Sequence, residues 1–321
     1  MRPVCVIGLG LIGGSLLRAA VRAGRPAFGA TKSAAGTQAA AADGYPVEAG
    51  IEAGLRRAAA EDALVVVGVP LTVLDPVLRL VAEHAPNCVL TDVTSVKGPV
   101  LDVVRRVVPT ATFVGGHPMA GTAESGWAAG VADLFDGAAW VVAAEDDTDA
   151  GGWLDVAGLA LDCGAHVVPI DAAAHDDAVA RISHLPHLLA AILASVGEAG
   201  GPLALSLAAG SFTDGTRVAG TEPDLVAAMC EGNRFPLLTA VDDALGRFGA
   251  TRGALASTGG LRATITDGHR GRAAFVAQRD AVRVPVSVDL AGPDWVAELR
   301  AVGAAGGRIT SVDGTVATGL R

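Results

Sequence analysis

One histidine of this 321-residue chain stands at the end of a short apolar run, where acid–base chemistry needs a fixed side chain. His117 follows two glycines and precedes Pro118 in the segment FVGGHPMAGTAESG. A residue before proline is driven toward extended backbone, so the ring is expected at a strand end. Gly115 and Gly116 carry no Cβ and would let a flat ligand approach the backbone. Because imidazole titrates near neutral pH, His117 is a candidate general base, and a turn histidine without a chemical task is the alternative.

The first residues of the chain carry the pattern of a dinucleotide-binding loop. A β-branched run enters the motif GLGLIGGS, which begins at Gly8, and apolar residues with helical spacing follow it. Gly8 permits the tight turn, Gly10 lets a pyrophosphate touch the backbone, and Gly13 lets the helix pack against the strand. The amide groups at the helix N-terminus, including those of Leu11 and Ile12, are expected to hold the phosphates. The sequence therefore predicts a bound dinucleotide.

The end of the second strand bears on the choice of cofactor. NAD-binding folds usually place an acidic residue there for the ribose hydroxyl, whereas this chain has Thr31 followed by Lys32. The missing carboxylate removes repulsion toward a 2′-phosphate, and Lys32 can attract one, although it can equally be a solvated surface charge. NAD and NADP are both permitted.

Apolar strands alternate with helical stretches through the first half of the chain. The predicted strands cover 4–7, a segment near 28–33, 63–69, 88–92, 113–114, 139–143 and 166–169, and the predicted helices cover 73–84, 97–107 and 153–163. This alternation indicates an α/β, Rossmann-type, doubly wound parallel sheet covered by helices. Pro70, Ser95 and His117 follow strands directly, so we expect them to line the crevice beyond the strand ends. Ser95 can hydrogen-bond His117 or the cofactor, or cap the helix near Lys97.

The pattern after residue 170 is helical. A long helix predicted over 171–198 contains the motif ISHLPH, in which His184 and His187 are neighbours on the helix surface. Pro186 lacks an N–H and frees a carbonyl one turn earlier, so a bend is expected there. A metal site formed with His175 is conceivable, but no Cys or Glu stands at ligand spacing, and we predict no metal.

A polar, glycine-bearing segment between later helices carries Arg217. Its planar guanidinium suits bidentate binding of a carboxylate, although a solvated arginine is the common alternative. Further helices are predicted at 223–231, 236–255 and 261–281. We divide the chain into a dinucleotide-binding domain over 1–170, an all-α domain over 171–283, and a small α+β strand–helix–strand appendage over 284–321.

Composition narrows the class of protein. The net charge of −10 disfavours nucleic-acid binding, which needs basic surface. No run of about 18 uncharged apolar residues and no leader-like segment stands out, so we expect a cytoplasmic protein outside the membrane. The four cysteines lie far apart and form no C-x-x-C pair, which is typical of buried thiols in a reducing compartment.

Five motifs in order resemble the prephenate/arogenate dehydrogenase family of tyrosine biosynthesis. They are GLGLIGGS at 8–15, DVTSVKG at 92–98, GGHPMAGTAESG at 115–126, ISHLPH at 182–187 and FTDGTRVA at 212–219. Asn233 also fits a later helical asparagine of the family. The resemblance spans about residues 4 to 235 and leaves the tail outside.

The resemblance implies oxidative decarboxylation of prephenate to 4-hydroxyphenylpyruvate with hydride transfer to NAD or NADP. His117 would take the proton of the ring hydroxyl, and Ser95 would position His117 and the nicotinamide. The matching substrate-binding positions are Arg217, His187, His184, Ser183 and Thr122. The family pairs two chains through the helical domain, which implies a homodimer and makes 171–283 a substrate and dimerisation domain.

Two departures from the family pattern concern the substrate. Ala123 follows Thr122 where the family commonly has Glu, and Val226 stands where a tryptophan is often found. Arogenate therefore stays open as the substrate. A β-hydroxyacid or imine reductase is a weaker alternative, because such enzymes usually use a lysine in the helical domain and this chain has only Lys32 and Lys97. The third alternative is a non-catalytic protein that binds a dinucleotide as a sensor.

Overall fold

The computed structural model describes residues 2–122 and 124–321, and Ala123 lies outside the described residues. The chain forms two compact units. The first comprises Met1–His175 together with Pro285–Arg321, and the second comprises Asp176–Val284.

The first unit begins with a parallel sheet in the strand order β3-β2-β1-β4-β5-β6. Its strands are β1 Val4–Ile7, β2 Ala27–Ala30, β3 Val47–Glu48, β4 Leu64–Val67, β5 Leu90–Asp92 and β6 Phe113–Val114. Its helices are α1 Leu11–Arg22, α2 Ala34–Ala42, α3 Ile51–Glu61, α4 Leu74–His84 and α5 Gly98–Val107. Val4 and Val6 enter one buried cluster and Cys5 and Ile7 another, so both faces of the sheet are covered. The predicted Rossmann-type sheet is confirmed.

The chain leaves this sheet at Gly115 and starts a second one. Strand β7, Gly116–Pro118, pairs antiparallel with β8, Ala139–Ala143, and β8 pairs parallel with β9, His166–Ile170. Helix α6, Ala150–Asp162, connects β8 and β9. The sequence placed all these strands in one series, and this is wrong for β8 and β9. An apolar strand pattern does not reveal which sheet a strand joins, because that depends on distant partners.

The second unit is helical. Helix α7, Ala172–Val179, starts at the end of the first unit and continues into the second. The elements that follow are a π-helical turn at Ala180–His184, α8 Leu185–Ala199, α9 Gly201–Ser206, α10 Gly210–Thr216, a 3₁₀ turn at Arg217–Gly220, α11 Pro223–Gly232, α12 Arg234–Ser257 and α13 Arg262–Arg279. The π-helical turn lies just before Pro186, where the missing N–H removes one helical hydrogen bond. A bend was predicted at this proline, and the structure has a π-helical turn directly before it.

The core of the helical unit is small, and much of its apolar surface is exposed. Ala180, Cys230, Leu237 and Ala240 form the buried cluster. Large apolar side chains of the unit that stay exposed include Ile192, Val196, Leu203, Leu207, Phe235 and Phe248. Among the described residues, one helical run, Ala172–Ala199, is long and apolar enough to cross a membrane by length and composition alone, and 22% of its most apolar window is buried.

The C-terminal residues return to the first unit and complete its second sheet. Strands β10 Pro285–Asp289, β11 Arg308–Asp313 and β12 Val316–Leu320, with helix α14 Trp295–Ala304, give the strand order β10-β12-β11-β9-β8-β7. Ile309 of β11 pairs with Val167 of β9, and Leu299 and Val302 of α14 join the core that contains Trp153. The segment was expected to be a separate appendage. It instead belongs to the first unit, because its apolar face is buried against β9.

Candidate active site

The glycine loop after β1 is shaped to receive a phosphate group. Gly8 has a φ of +99°, and its amide donates to the Ala30 carbonyl at 2.8 Å. A Cβ added at Gly13 would collide with the carbonyl oxygen of Gly8, whereas one added at Gly10 would meet no described atom within 4 Å. Gly10 is the N-cap of α1, and no described side chain caps that helix. The first-turn amide groups, which include those of Leu11 and Ile12, are therefore available to an anion. The loop fits a dinucleotide pyrophosphate.

The turn after β2 contains short polar side chains and one lysine. The Thr31 hydroxyl accepts from the Ser33 amide at 3.3 Å, and the Ser33 hydroxyl accepts from the Gly36 amide at 3.1 Å as the N-cap of α2. Lys32 is exposed. Thr31 is thus partly committed to the turn, and the lysine is the charged group nearest in sequence to the place where an adenosine ribose binds in such folds.

A buried ion pair ties the strand that carries His117 to the turn after β5. The Lys97 ammonium is in contact with the Asp92 carboxylate, and the two side chains are 2% and 1% exposed. Lys97 also donates to the Gly116 carbonyl at 2.6 Å, and Asp92 accepts from the Gly116 amide at 3.1 Å. Asp92 accepts from the Thr94 amide at 2.9 Å as well. Both backbone polar groups of the residue before His117 are therefore fixed by the pair.

The ring of His117 meets a second imidazole. Its Nδ1 lies 2.8 Å from Nε2 of His175, and the rings are edge to face at 74°. His175 is 1% exposed on α7. The N-terminus of α7 is anchored by Glu145, whose carboxylate accepts from the Ala172 amide at 2.7 Å, and burial raises the pKa of that carboxyl. A paired, partly buried histidine beside two glycines is suited to proton transfer.

Other predicted residues of the first unit lie on turns at strand ends. Ser95 is partly exposed in the turn between β5 and α5, and Pro70 precedes the 3₁₀ turn Leu71–Val73 after β4. Thr122 is exposed, and its hydroxyl accepts from the Glu124 amide at 3.2 Å. The N-cap of helix α5 is Lys97, so Ser95, two residues earlier, does not stand at the capping position proposed as its alternative role.

Within the helical unit, the candidate substrate-binding residues differ in accessibility. His187 is partly exposed, and its Nδ1 donates to the Ser183 carbonyl at 2.8 Å. Arg217 is exposed at the start of a 3₁₀ turn that packs on α8, the helix of His187. His184 is fully buried, and its Nδ1 lies 3.0 Å from the side-chain amide of Asn233. The sequence placed His184 beside His187 on a helix surface, but the π-helical turn ends at His184 and directs it into the core.

The site contains residues that the sequence reasoning did not assign to it. Asp92 and Lys97 stood inside a motif but were given no partner, and His175 was considered only for a metal. Among the described residues, no group of three or more His, Cys, Asp or Glu side chains is arranged to hold a metal ion. The only signal for the pair was a lysine and an aspartate flanking a strand end, and nothing local pointed to the contact of His175 with His117.

Comparison with known proteins decides the family. The family model for the prephenate dehydrogenase nucleotide-binding domain matches residues 25–169, and the model for the prephenate dehydrogenase dimerization domain matches residues 171–257. A solved structure from Corynebacterium glutamicum, assigned as a prephenate dehydrogenase, has a TM-score of 0.91 and 46% identity and covers 96% of this chain and 98% of its own. The chain belongs to the prephenate dehydrogenase family.

Other family members are similar over parts of the chain. The prephenate dehydrogenase of Bacillus subtilis is 34% identical over 191 residues, which are 57% of this chain and 51% of that protein. The chain thus spans about half the length of this relative. The arogenate dehydrogenase structure from Synechocystis has a TM-score of 0.73 and 27% identity, and it covers 85% of this chain and 100% of its own. The family therefore includes members named for either acid.

Proposed function

We propose that this protein is a nicotinamide-dependent dehydrogenase that converts prephenate to 4-hydroxyphenylpyruvate and CO2 in tyrosine biosynthesis. The observation that carries the proposal is His117, held within β7 with one ring nitrogen 2.8 Å from His175, in a chain of the prephenate dehydrogenase family. Arogenate, which would give tyrosine directly, is the second candidate substrate, supported by the likeness to the Synechocystis enzyme.

His117 acts on the hydroxyl of the substrate ring. With Nδ1 turned to His175, its Nε2 is the nitrogen that takes the hydroxyl proton. A bound nicotinamide dinucleotide supplies the acceptor for the hydride of the same carbon. The ring then loses CO2 and becomes aromatic, which makes the overall change strongly favourable. Ser95, on the neighbouring turn, positions His117 and the nicotinamide.

The glycine loop holds the cofactor. Gly8 and Gly13 fix the turn, Gly10 leaves room for the pyrophosphate, and the amides of Leu11 and Ile12 in the first turn of α1 would donate to it. Pro70 follows the neighbouring strand β4, and Thr31 and Lys32 follow β2, where the adenosine ribose would lie in such a fold. We propose NAD as the preferred cofactor, in keeping with the family, and NADP as an accepted one, because no carboxylate at Thr31 or Lys32 repels its 2′-phosphate.

The helical domain, which we place at 171–283 after a dinucleotide-binding domain at 1–170, binds the substrate carboxylates. Arg217 is the bidentate clamp, and His187 and Ser183 complete the set in this domain. Thr122 is the substrate-binding candidate that belongs to the dinucleotide-binding domain. Because Nδ1 of His187 donates to a carbonyl, its Nε2 can donate to a carboxylate only when the ring is protonated. His184 supports this face from the core through Asn233 rather than by touching substrate.

The helical domain also pairs two copies of the chain. The matched dimerization domain supports this, as do the exposed apolar side chains of the unit, which include Phe235 at 77% exposed and Leu207 at 74%. An apolar surface of this extent on a small core is typical of an interface. We propose that a second copy covers this surface, the Ala172–Ala199 helix included, and that the enzyme is cytoplasmic. Light scattering should give the mass of a dimer without detergent.

A spectrophotometric assay at 340 nm tests the chemistry. Prephenate and arogenate are each supplied with NAD and with NADP, and cofactor reduction with prephenate is expected. A protein that binds dinucleotide but reduces none with either acid would be a sensor, and the proposal would fail.

Two variants test the residue roles. His117→Asn is expected to lower kcat about 10²–10⁴-fold, the range for a lost general base, while dinucleotide affinity stays the same. Arg217→Ala is expected mainly to raise KM for the acid. Near-normal turnover in the first variant, or an unchanged KM in the second, would contradict the assigned role.

A further inference from the structure

The contact between His117 and His175 constrains where protons can lie. Nδ1 of His117 and Nε2 of His175 are 2.8 Å apart, which is hydrogen-bond distance. Two imidazole nitrogens at this separation need one proton between them, because two N–H groups or two lone pairs would repel. The tautomer of one ring therefore sets the tautomer of the other.

Only one of the two arrangements leaves His117 able to act as a base. If His175 donates from Nε2, a neutral His117 accepts at Nδ1 and carries its own proton on Nε2, so it has no lone pair for the substrate. If His117 donates from Nδ1, its Nε2 carries a lone pair that can accept a proton, and His175 carries its own proton on Nδ1. We propose that His175 is the positioning residue that keeps the proton on Nδ1 of His117. This inference rests on the proposed role of His117.

Contacts with other residues fix the backbone on both sides of the His117–His175 contact. On one side, the Asp92–Lys97 ion pair binds the backbone of Gly116, next to His117. On the other side, α7 is fixed at its first turn, where Glu145 accepts from the Ala172 amide and Asp171 accepts from the Ala174 amide at 2.8 Å. His175 lies within that first turn.

A second anchor lies behind the first turn of α7. Arg300 of α14 donates to the Ala144 carbonyl at 2.6 Å and pairs with Asp146 at 2.7 Å, so the strand end that precedes Glu145 is fixed as well. His175 itself is 1% exposed. A buried imidazole on an anchored helix loses little by holding a fixed orientation, which is what a residue that orients a catalytic base requires.

The same contact serves the charged form of the base. When Nε2 of His117 takes the substrate proton, the ring becomes an imidazolium, and its Nδ1–H donates more strongly to Nε2 of His175. The proton stays on His117 until it passes to water, so His175 gains and loses none. Its contribution is orientation and stabilisation of the charge that develops on its neighbour.

Replacement of His175 distinguishes the effect of its hydrogen-bond acceptor from the effect of its volume. Glutamine offers a side-chain carbonyl that can accept from Nδ1–H, whereas leucine fills space without accepting. We expect His175→Leu to lower kcat about 10²-fold, with KM for prephenate and dinucleotide affinity within about twofold, and His175→Gln to recover at least tenfold of the loss. His84→Gln, on α4, is the matched control and should retain wild-type kcat. Equal rates in the leucine and glutamine variants would overturn the proposal.

Nitrogen NMR of ¹⁵N-histidine-labelled enzyme gives a readout that needs neither substrate nor cofactor. The ring shifts of His117 distinguish an Nδ1–H from an Nε2–H tautomer. Wild type should show Nδ1–H, and His175→Leu should move His117 toward the Nε2–H form. A wild-type His117 protonated on Nε2 contradicts the inference, even if the leucine variant fails to fold.

The two proposals fail in different ways. If His117→Asn turns over normally, the proposed function is wrong, whatever the tautomer. If His117→Asn is inactive while His175→Leu keeps full kcat and an unchanged spectrum, only the role of His175 is wrong.

Discussion

Removal of the Lys97 ammonium tests whether the buried pair supports both the fold and the base. In Lys97→Met, the Asp92 carboxylate stays 1% exposed and loses its counter-charge, and the Gly116 carbonyl loses a donor at 2.6 Å. Breaking a buried pair by removing one partner costs about 3–5 kcal/mol, because a charge is left without compensation.

The remaining contacts of Asp92 set where in that range the loss falls. The carboxylate still accepts from the amides of Thr94 and Gly116, which offsets part of its desolvation. We therefore expect a loss of about 3 kcal/mol in the free energy of unfolding. For a cooperative unit of about 150–250 residues, the size of the first unit, the melting temperature should fall by roughly 6–12 °C, at about 2–4 °C per kcal/mol. Urea unfolding followed by circular dichroism measures the loss.

The double variant Asp92→Asn/Lys97→Met is the matched control. Its asparagine keeps an acceptor for the Gly116 amide and leaves no buried charge without a partner. The double variant should therefore recover more than half of the stability lost in Lys97→Met. Its kcat should nevertheless stay about tenfold or more below wild type, because the strand end before His117 has lost one of its two anchors. A single variant within 1 kcal/mol of wild type, or a double variant no more stable than the single one, would refute the reasoning.

Three further predictions address the cofactor loop and the core. Gly13→Ala should lower both the melting temperature and the NAD affinity, because its Cβ would strike the Gly8 carbonyl. Gly10→Ala should weaken NAD binding in calorimetry but keep the melting temperature, because its Cβ would meet no described atom. Equal melting temperatures in the two variants would contradict this. Lys32→Glu should lower NADP use relative to NAD at least tenfold in kcat/KM, and an unchanged ratio would exclude Lys32 from the ribose end. Burial raises the pKa of Cys163 to about 12, so iodoacetamide at pH 8 should label this thiol only after unfolding in urea, as mass spectrometry would show; labelling of the native protein would contradict its burial.

The pH dependence of reactivity at Cys163 has a definite sign. The thiolate is the reactive form, and desolvation by burial is the main cause that raises the pKa of this thiol in the folded state. A raised folded-state pKa means that ionisation favours the unfolded chain, so stability from this group is complete below the unfolded pKa and is lost as the pH rises toward about 12. The other three cysteines are also buried and free, in keeping with the thiols expected from the sequence.

Features with short-range causes were predictable from the sequence. The strand–glycine–helix order from Gly8 to Gly13 predicts the cofactor loop, because each glycine stands where a side chain would be sterically excluded by neighbouring atoms or by the ligand. Pro186 interrupts a helix because it lacks one N–H, and the structure has a π-helical turn there. Pro118 predicts extended backbone at His117, which lies in β7.

Features that depend on partners far along the chain came only from the tertiary structure. His117 and His175 are 58 positions apart, and Lys97 reaches Gly116 across 19. The sequence supplied the residues, but no periodicity or spacing could say that one imidazole would stand against another. The same holds for β11, whose pairing with β9 brings the C-terminal segment into the first unit. Local backbone chemistry determined the loop, the proline turn and the candidate base, whereas the packing of distant elements decided which groups surround that base, since burial and pairing exist only once the chain has folded.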